Sequence, residues 1–225
     1  MGFSLFPRIR ELGLPAPRGV LQVGASYGQE MREFLENGVQ AGLFIEPLPE
    51  PFAHLSSLCR QIPNYIAFNT LCTDESGRQY TFHVASNGGM SSSILPPAQH
   101  LVVNDYVSFP STVELTSTTV DQVASFLRAN GHGPVVDTLD LLFMDCQGAE
   151  YRILLGAGGM LRQVKYIYTE VMRNELYTGQ VPFLNYCMHL DAMGFTLNDV
   201  YFDHPVQAGN ALFVRKDLVA VPNTH

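Results

Sequence analysis

The chain has 225 residues, 46% of them hydrophobic, and a formal net charge of -8. That length and apolar content suit one α/β domain spanning 1–225 with a full core. Thirteen scattered Lys and Arg argue against a nucleic-acid footprint. Cys59, Cys72, Cys146 and Cys187, with no C-x-x-C pair, argue against a zinc site or a disulfide framework.

Reduced thiols fit a cytoplasmic setting. The opening residues Met1 to Phe6 lack a basic region followed by a long apolar core, and Phe6 stands where a myristoylation signal wants Ser or Thr. No apolar run is long enough to span a bilayer, so stable membrane insertion is not expected. Oligomeric state is left open by the sequence.

Residues Ser4 to Leu14 read as a short helix within an N-terminal extension, 1–18, and Pro15 and Pro17 then force an extended link. Val20 to Val23 is an apolar strand that breaks at Gly24 and bends through small residues. A helix follows from about Gly28 to Leu35, with Asn37-Gly38 as its cap. Ala41 to Ile45 is the second strand; Pro49, Phe52, Leu55 and Leu58 mark the next helix; Tyr65 to Leu71 is the third strand. Threefold alternation of strand and helix implies a doubly wound, mostly parallel sheet with helices on both faces.

The stretch 73–118 breaks this rhythm. It contains a turn at Asp74 to Gly77, a strand from Tyr80 to Ala85, a Gly/Ser loop from Ser86 to Ser93, and an edge strand from Val113 to Thr118. We expect this insertion to form part of an active-site wall rather than a plain linker. Thr118 or Thr119 then caps a helix through Leu127. Leu139 to Met144 is almost wholly apolar, as a strand buried on both faces should be. Glu150 to Leu155 is helical, Tyr166 to Thr169 is a strand ending at Glu170, and Leu184 to Met193 is helical. An antiparallel closing pair, Phe195 to Val200 and Ala211 to Val214, completes the fold.

Ligands of parallel α/β sheets sit outside the carboxyl ends of the strands. The residues there are Gly24, Ala25 and Ser26, Glu46, Thr73 and Asp74, Asp145 and Glu170. Gly24 and Gly28 allow a ligand to approach the backbone closely at a helix N-terminus. Glu46, some ~20 residues beyond the turn, suits a ribose-hydroxyl acceptor. Together they point to an adenosine-containing cofactor, although the G-x-x-x-G spacing departs from the dinucleotide fingerprint. Asp145 suits contact with a cofactor ammonium, orientation of an acceptor, general-base duty or simple helix capping; Glu170 is a second rim carboxylate. Glu150 suits the first turn of its helix. No dense Asp/Glu/His cluster calls for a metal, and among the histidines His83 and His204 are the ones to test as bases.

Three blocks, Val20 to Gly28, Phe44-Ile45-Glu46-Pro47 and Asp140 to Glu150 with its Asp145-Cys146-Gln147-Gly148-Ala149-Glu150 ending, resemble the FkbM-type family of S-adenosylmethionine-dependent methyltransferases. Tyr177 and Gly179 after Glu170, and an Asn-x-Gly-x-Ser-Ser-like segment at 87–92, add to it. The resemblance implies a class I, Rossmann-like methyltransferase with Gln22, Gly24, Ala25, Ser26, Gly28, Glu46, Thr73, Asp74 and Asp145 around the cofactor and Asp145 and Glu170 as catalytic residues. It implies O-methylation of a small-molecule or glycan hydroxyl, on a sugar or a secondary metabolite. Gln22 stands where many relatives carry Asp, and Ser26 where they often carry Asn. That departure suggests, as an alternative, a non-catalytic cofactor-binding member; the glycine turn and Glu46 alone would also fit a nicotinamide-dependent oxidoreductase.

Overall fold

The computed structural model describes residues 4–204 and 206–219. A leading helix, α1 (Leu5–Glu11), precedes β1 (Gly19–Val23), α2 (Met31–Glu36), β2 (Ala41–Ile45), α3 (Pro49–Cys59) and β3 (Tyr65–Phe68). The chain then builds β4 (Leu71–Cys72), β5 (Gln79–Val84), the short α4 (His100–Val103) and β6 (Ser111–Thr118). The second half comprises α5 (Val120–Leu127), α6 (Gly133–Val136), β7 (Leu141–Met144), α7 (Glu150–Leu155), β8 (Tyr166–Met172), α8 (Phe183–Ala192), β9 (Phe195–Phe202) and β10 (Ala208–Arg215).

Seven strands form one sheet in the order β3-β2-β1-β7-β8-β10-β9. Neighbours from β3 to β8 run parallel, and β10 lies antiparallel between β8 and β9. The direction of strand addition reverses between β1 and β7, which opens a crevice at their carboxyl ends. Register places Val23 beside both Ile45 and Met144, and Met144 beside Thr169. Val23, Ile45, Met144 and Thr169 therefore lie level across four strands, and the residue after each, Gly24, Glu46, Asp145 and Glu170, reaches one rim.

Side-chain alternation divides the core in two. Leu21, Val23, Leu142 and Met144 pack with α5, α7 and α8 through Val123, Ile153 and Leu190. Val20, Leu141 and Phe143 pack on the other face with α1, α2 and α3 through Phe6, Phe34 and Leu55. The expected helices on both faces and the antiparallel closing strand are present, and α1 is part of the core rather than an appendage.

Three differences from the sequence reading have local causes. The third strand stops at Phe68 rather than Leu71. The Asn69 side-chain amide donates to the Glu46 and Pro47 carbonyls at 2.8 and 3.1 Å, occupying acceptors beside a continuing strand. Leu71 and Cys72 then join a second sheet of order β4-β6-β5, so β6 is its centre strand and not an edge. Finally, β8 runs past Glu170 to Met172, because β10 pairs with it that far.

The amino-terminal end of the sheet is tied by one acid. Asp140 is 1% exposed and accepts from the Arg18 and Gly19 N–H groups at 2.8 and 3.3 Å, and from Arg18 Nε and Lys165 Nζ at 3.2 and 3.1 Å. These bonds link the starts of β1, β7 and β8, at the end of the sheet opposite the crevice.

Candidate active site

The turn after β1 is sterically determined. Gly24 has φ +78°, and a Cβ there would lie 2.0 Å from the Asp145 carbonyl oxygen. No other residue fits without moving β7. The Gly24 and Ala25 N–H groups both turn back to the Ile45 carbonyl at 3.0 Å. Ser26, itself at φ +45°, donates its N–H to Glu46 Oε2 at 2.9 Å. Gly28 (φ +80°) lies against Leu55 as the chain turns into α2.

Glu46 is 5% exposed, and its other oxygen takes the Leu48 N–H at 2.8 Å. Burial pushes its carboxyl up to about 7, against the two backbone donors. No cation pairs with it among the described residues.

Glu46 opens into a crevice enclosing about 550 Å³, part of it open to solvent. Gly24 and Ser26 border it on one side, and Asp145 and Cys146 close the other. Leu48, Leu71, Phe82 and Ile94 make an apolar recess between them. An apolar slot with a few convergent polar groups is the usual form of a small-molecule site. Phe82, Gly89, Met90, Ser92 and Ile94 all come from the stretch after the third strand, and they wall this crevice.

Asp145 and Glu170 meet at the rim through a residue the sequence reading left without a role. Gln147 Nε2 donates to Asp145 Oδ1 at 2.7 Å and to Glu170 Oε2 at 2.9 Å, so one amide spans both acids. Its backbone is left-handed (φ +55°), with Gly148 following at φ +90°. Tyr177, fully buried, directs its hydroxyl to Gln147 Oε1 at 2.7 Å and to the Ser91 carbonyl at 2.9 Å. Ser93 Oγ donates to the Gln147 carbonyl at 2.8 Å.

Close-packed walls raise the Asp145 carboxyl, the Gln147 bond opposes the rise, and the Glu30 charge adds to it; the open side of the crevice lets water limit the effect. Burial first, and then the charges of Asp145 and Glu150, push Glu170 well above the carboxylate range. Two acids this close oppose each other's ionisation, which is part of why both carboxyls are raised.

Glu150 stands in the first turn of α7, as expected. It is 6% exposed, bonds back to the Cys146 N–H at 2.7 Å, and is pushed up to about 7 by burial.

The structure thus gathers Gly24, Ser26, Glu46 and Asp145 on one crevice, with Glu170 joined to Asp145. Gln22 and Ala25 are buried beneath the turn. Thr73 and Asp74 do not reach the crevice. Thr73 Oγ1 bonds to the Glu75 carbonyl at 3.0 Å, and Asp74 pairs with Arg152 at 3.4 Å. The chain's early exit from the main sheet brings Leu71 and Cys72 to the wall in their place. His83 is bridged through its backbone to Ser93, and neither it nor His204 borders the crevice. Gln147 had one legible signal, a polar residue before glycine at a strand end. The Tyr177 contact spans 30 residues and had none. Among the described residues no group of three or more His, Cys, Asp or Glu is placed to hold a metal, and no helix is long and apolar enough to cross a membrane.

Strand order, reversal point and crevice define the α/β Rossmann-like class I methyltransferase fold. The chain belongs to the FkbM methyltransferase family, whose domain model matches residues 22–197. It is therefore an S-adenosylmethionine-dependent methyltransferase, which replaces the nicotinamide reading. It is 29% identical over 170 residues to the 2-O-methyltransferase NoeI of Sinorhizobium fredii (strain NBRC 101917 / NGR234), covering 72% of this chain and 67% of that protein. Among solved structures it is similar to a chain of the fibrillarin/Nop5p complex, with a TM-score of 0.50 and 15% identity over 90% of this chain and 74% of that one. It is also similar to Streptococcus pneumoniae Sp1610 in complex with S-adenosyl-L-methionine, with a TM-score of 0.46 and 11% identity over 98% and 77% of the two chains.

The residues present fit the donor. Ser26 Oγ and Gln22 Oε1 are buried without a hydrogen-bond partner among the described residues, on either side of Gly24. Glu46 has no cation paired with it among the described residues, and the recess beside it is apolar.

Proposed function

We propose that this protein methylates a hydroxyl group of a sugar, a glycan or a related secondary metabolite. The observation that carries this reading is the single Gln147 amide spanning Asp145 and Glu170, on the same rim as the Glu46 crevice. Two acids held together beside the crevice offer a carboxylate oxygen to take the proton of a neutral acceptor hydroxyl. The similarity to NoeI supports a sugar 2-hydroxyl as the first acceptor to try.

Glu46 holds the two ribose hydroxyls, and the Leu48 and Ser26 N–H groups fix its orientation for that task. Leu48, Leu71 and Phe82 receive the adenine. Gly24, Ala25, Ser26 and Gly28 cradle the amino-acid end, which reaches Gln22 Oε1 and Ser26 Oγ. When bound, S-adenosylmethionine supplies a methyl group already activated on a cationic sulfur. Asp145 and Glu170 then orient the acceptor hydroxyl and take its proton, with Gln147 and Tyr177 keeping the two acids in register. The wall from 73–118 excludes water and shapes the acceptor side. Thr73 and Asp74 keep a structural part.

Acids gather near the rim: Asp145 feels the charge of Glu30, and Glu170 feels those of Asp145 and Glu150. That charge favours a cationic donor over its neutral product and disfavours phosphorylated acceptors. The test is formation of S-adenosylhomocysteine with a panel of free and phosphorylated glycosides. Neutral glycosides should turn over, and Asp145→Asn should cut kcat by ~10²-fold or more while changing donor affinity only a few-fold. Transfer confined to amines, or an Asp145→Asn variant of full activity, would sink the reading.

A further inference from the structure

Gln22 stands where a charged residue would be the simpler choice, and its surroundings explain how a neutral one serves. The side chain is 1% exposed, and its Nε2 donates to Glu30 Oε2 at 2.9 Å. An amide whose nitrogen is held by a carboxylate has its oxygen fixed as well, on the other branch of the same planar carbon. That oxygen, Oε1, is buried and has no partner among the described residues. A buried carbonyl left without a donor is costly, and the deficit is met when a donor arrives with a ligand. Glu30 directly precedes α2, eight residues along the chain from Gln22, and is near enough to Asp145 to raise its carboxyl.

We propose that Glu30 is a positioning residue for the methyl donor: it fixes the Gln22 amide so that Oε1 faces the donor's α-ammonium, and it supplies from behind the negative charge that Gln22 lacks. The assignment rests on the donor site proposed above. The charge is moved back by one hydrogen bond. A polarised amide between a carboxylate and an ammonium transmits part of the attraction of a direct ion pair, without placing a bare carboxylate against Asp145.

The test compares two nucleosides on the full-length protein. S-adenosylhomocysteine carries the α-ammonium; 5′-methylthioadenosine has the same adenosine and sulfur without the amino-acid end. Titration calorimetry should show Glu30→Ala weakening S-adenosylhomocysteine by about tenfold, with Glu30→Gln intermediate because it still accepts from Gln22. Binding of 5′-methylthioadenosine should stay within twofold, which also reports an intact fold. The exchanged pair Gln22→Glu with Glu30→Gln should regain most of the lost affinity. Equal weakening of both nucleosides, or no change for S-adenosylhomocysteine, would overturn the role of Glu30. Wild-type protein that bound neither would instead remove the donor site itself, and this assignment with it.

Discussion

Glu46 is an acid whose charge the free protein is poorly equipped to hold. Its carboxyl rests at about 7, and only the ionised form has both oxygens free to accept from the two ribose hydroxyls as well as from the Ser26 and Leu48 N–H groups. Binding of S-adenosylhomocysteine should therefore release a proton, and its affinity should fall by about tenfold for each pH unit below 7. Calorimetry in buffers of different ionisation heat measures both effects. Glu46→Ala should weaken binding by roughly 1–3 kcal/mol, the scale of charge-assisted hydrogen bonds, and should flatten the pH profile. Equal profiles for the two proteins would remove the ribose assignment. Glu46 was legible in the sequence because strand, carboxylate and spacing from the glycine turn are all local facts. Gln147 and Glu30 were not, because their importance lies in which side chain they meet across the fold. A glutamine that spans two acids looks like any other polar residue until β7 and β8 are placed side by side.

At the scale of elements, the bounds of β2 and α7 agree with the sequence expectation, each being a short apolar run with clear ends. Elements whose extent is set by a partner were misread. β8 is lengthened by β10, and β4 is claimed by β6. The Ser/Thr-rich pattern of β6 looks the same at an edge as in the middle of a small sheet open to solvent. The four-residue helices α4 and α6 carry too little periodicity to be seen. The two ends of the sheet also differ in kind. At the amino ends Asp140 is surrounded by donors, whereas the acids at the carboxyl ends crowd one another. Asp140→Ala should thus leave Arg18 and Gly19 N–H groups unpaired and lower stability by about 2–4 kcal/mol, with S-adenosylhomocysteine affinity nearly unchanged. Urea unfolding beside calorimetry separates the two effects, and a loss of affinity as large as the loss of stability would contradict this division.

For the molecule as a whole, two buried acids near the carboxyl ends of the strands bear on the pH response of stability. Glu46 and Glu150 lie at about 7 when folded, against an ordinary value of 4.5. The folded state binds their protons more tightly than the unfolded chain does. Their contribution is fully present below about 4.5 and is lost as pH rises through 7. The ligand-free protein should melt several degrees higher at pH 5.5 than at pH 8, and saturating S-adenosylhomocysteine should narrow the gap by stabilising the ionised form. A free protein more stable at pH 8 would show that these acids are not strained by burial.

The small β4-β6-β5 sheet has a further consequence. Its β5–β6 connection is pinched shut where Ser86 and Ser108 exchange bonds at 2.8 and 3.0 Å, and beyond that neck lie the exposed Val102 and Tyr106. Leu71 and Phe82, which line the crevice, stand on strands on the near side of the neck, and Gly89, Met90, Ser92 and Ile94 reach the crevice from beyond it. Ala98 and His100 are tied by their N–H groups to the Leu176 carbonyl, and His100 packs on Tyr177, so a stretch grafted from a relative can replace the mostly exposed outer residues 101–106 while the inner ones keep the Tyr177–Gln147 contact in place.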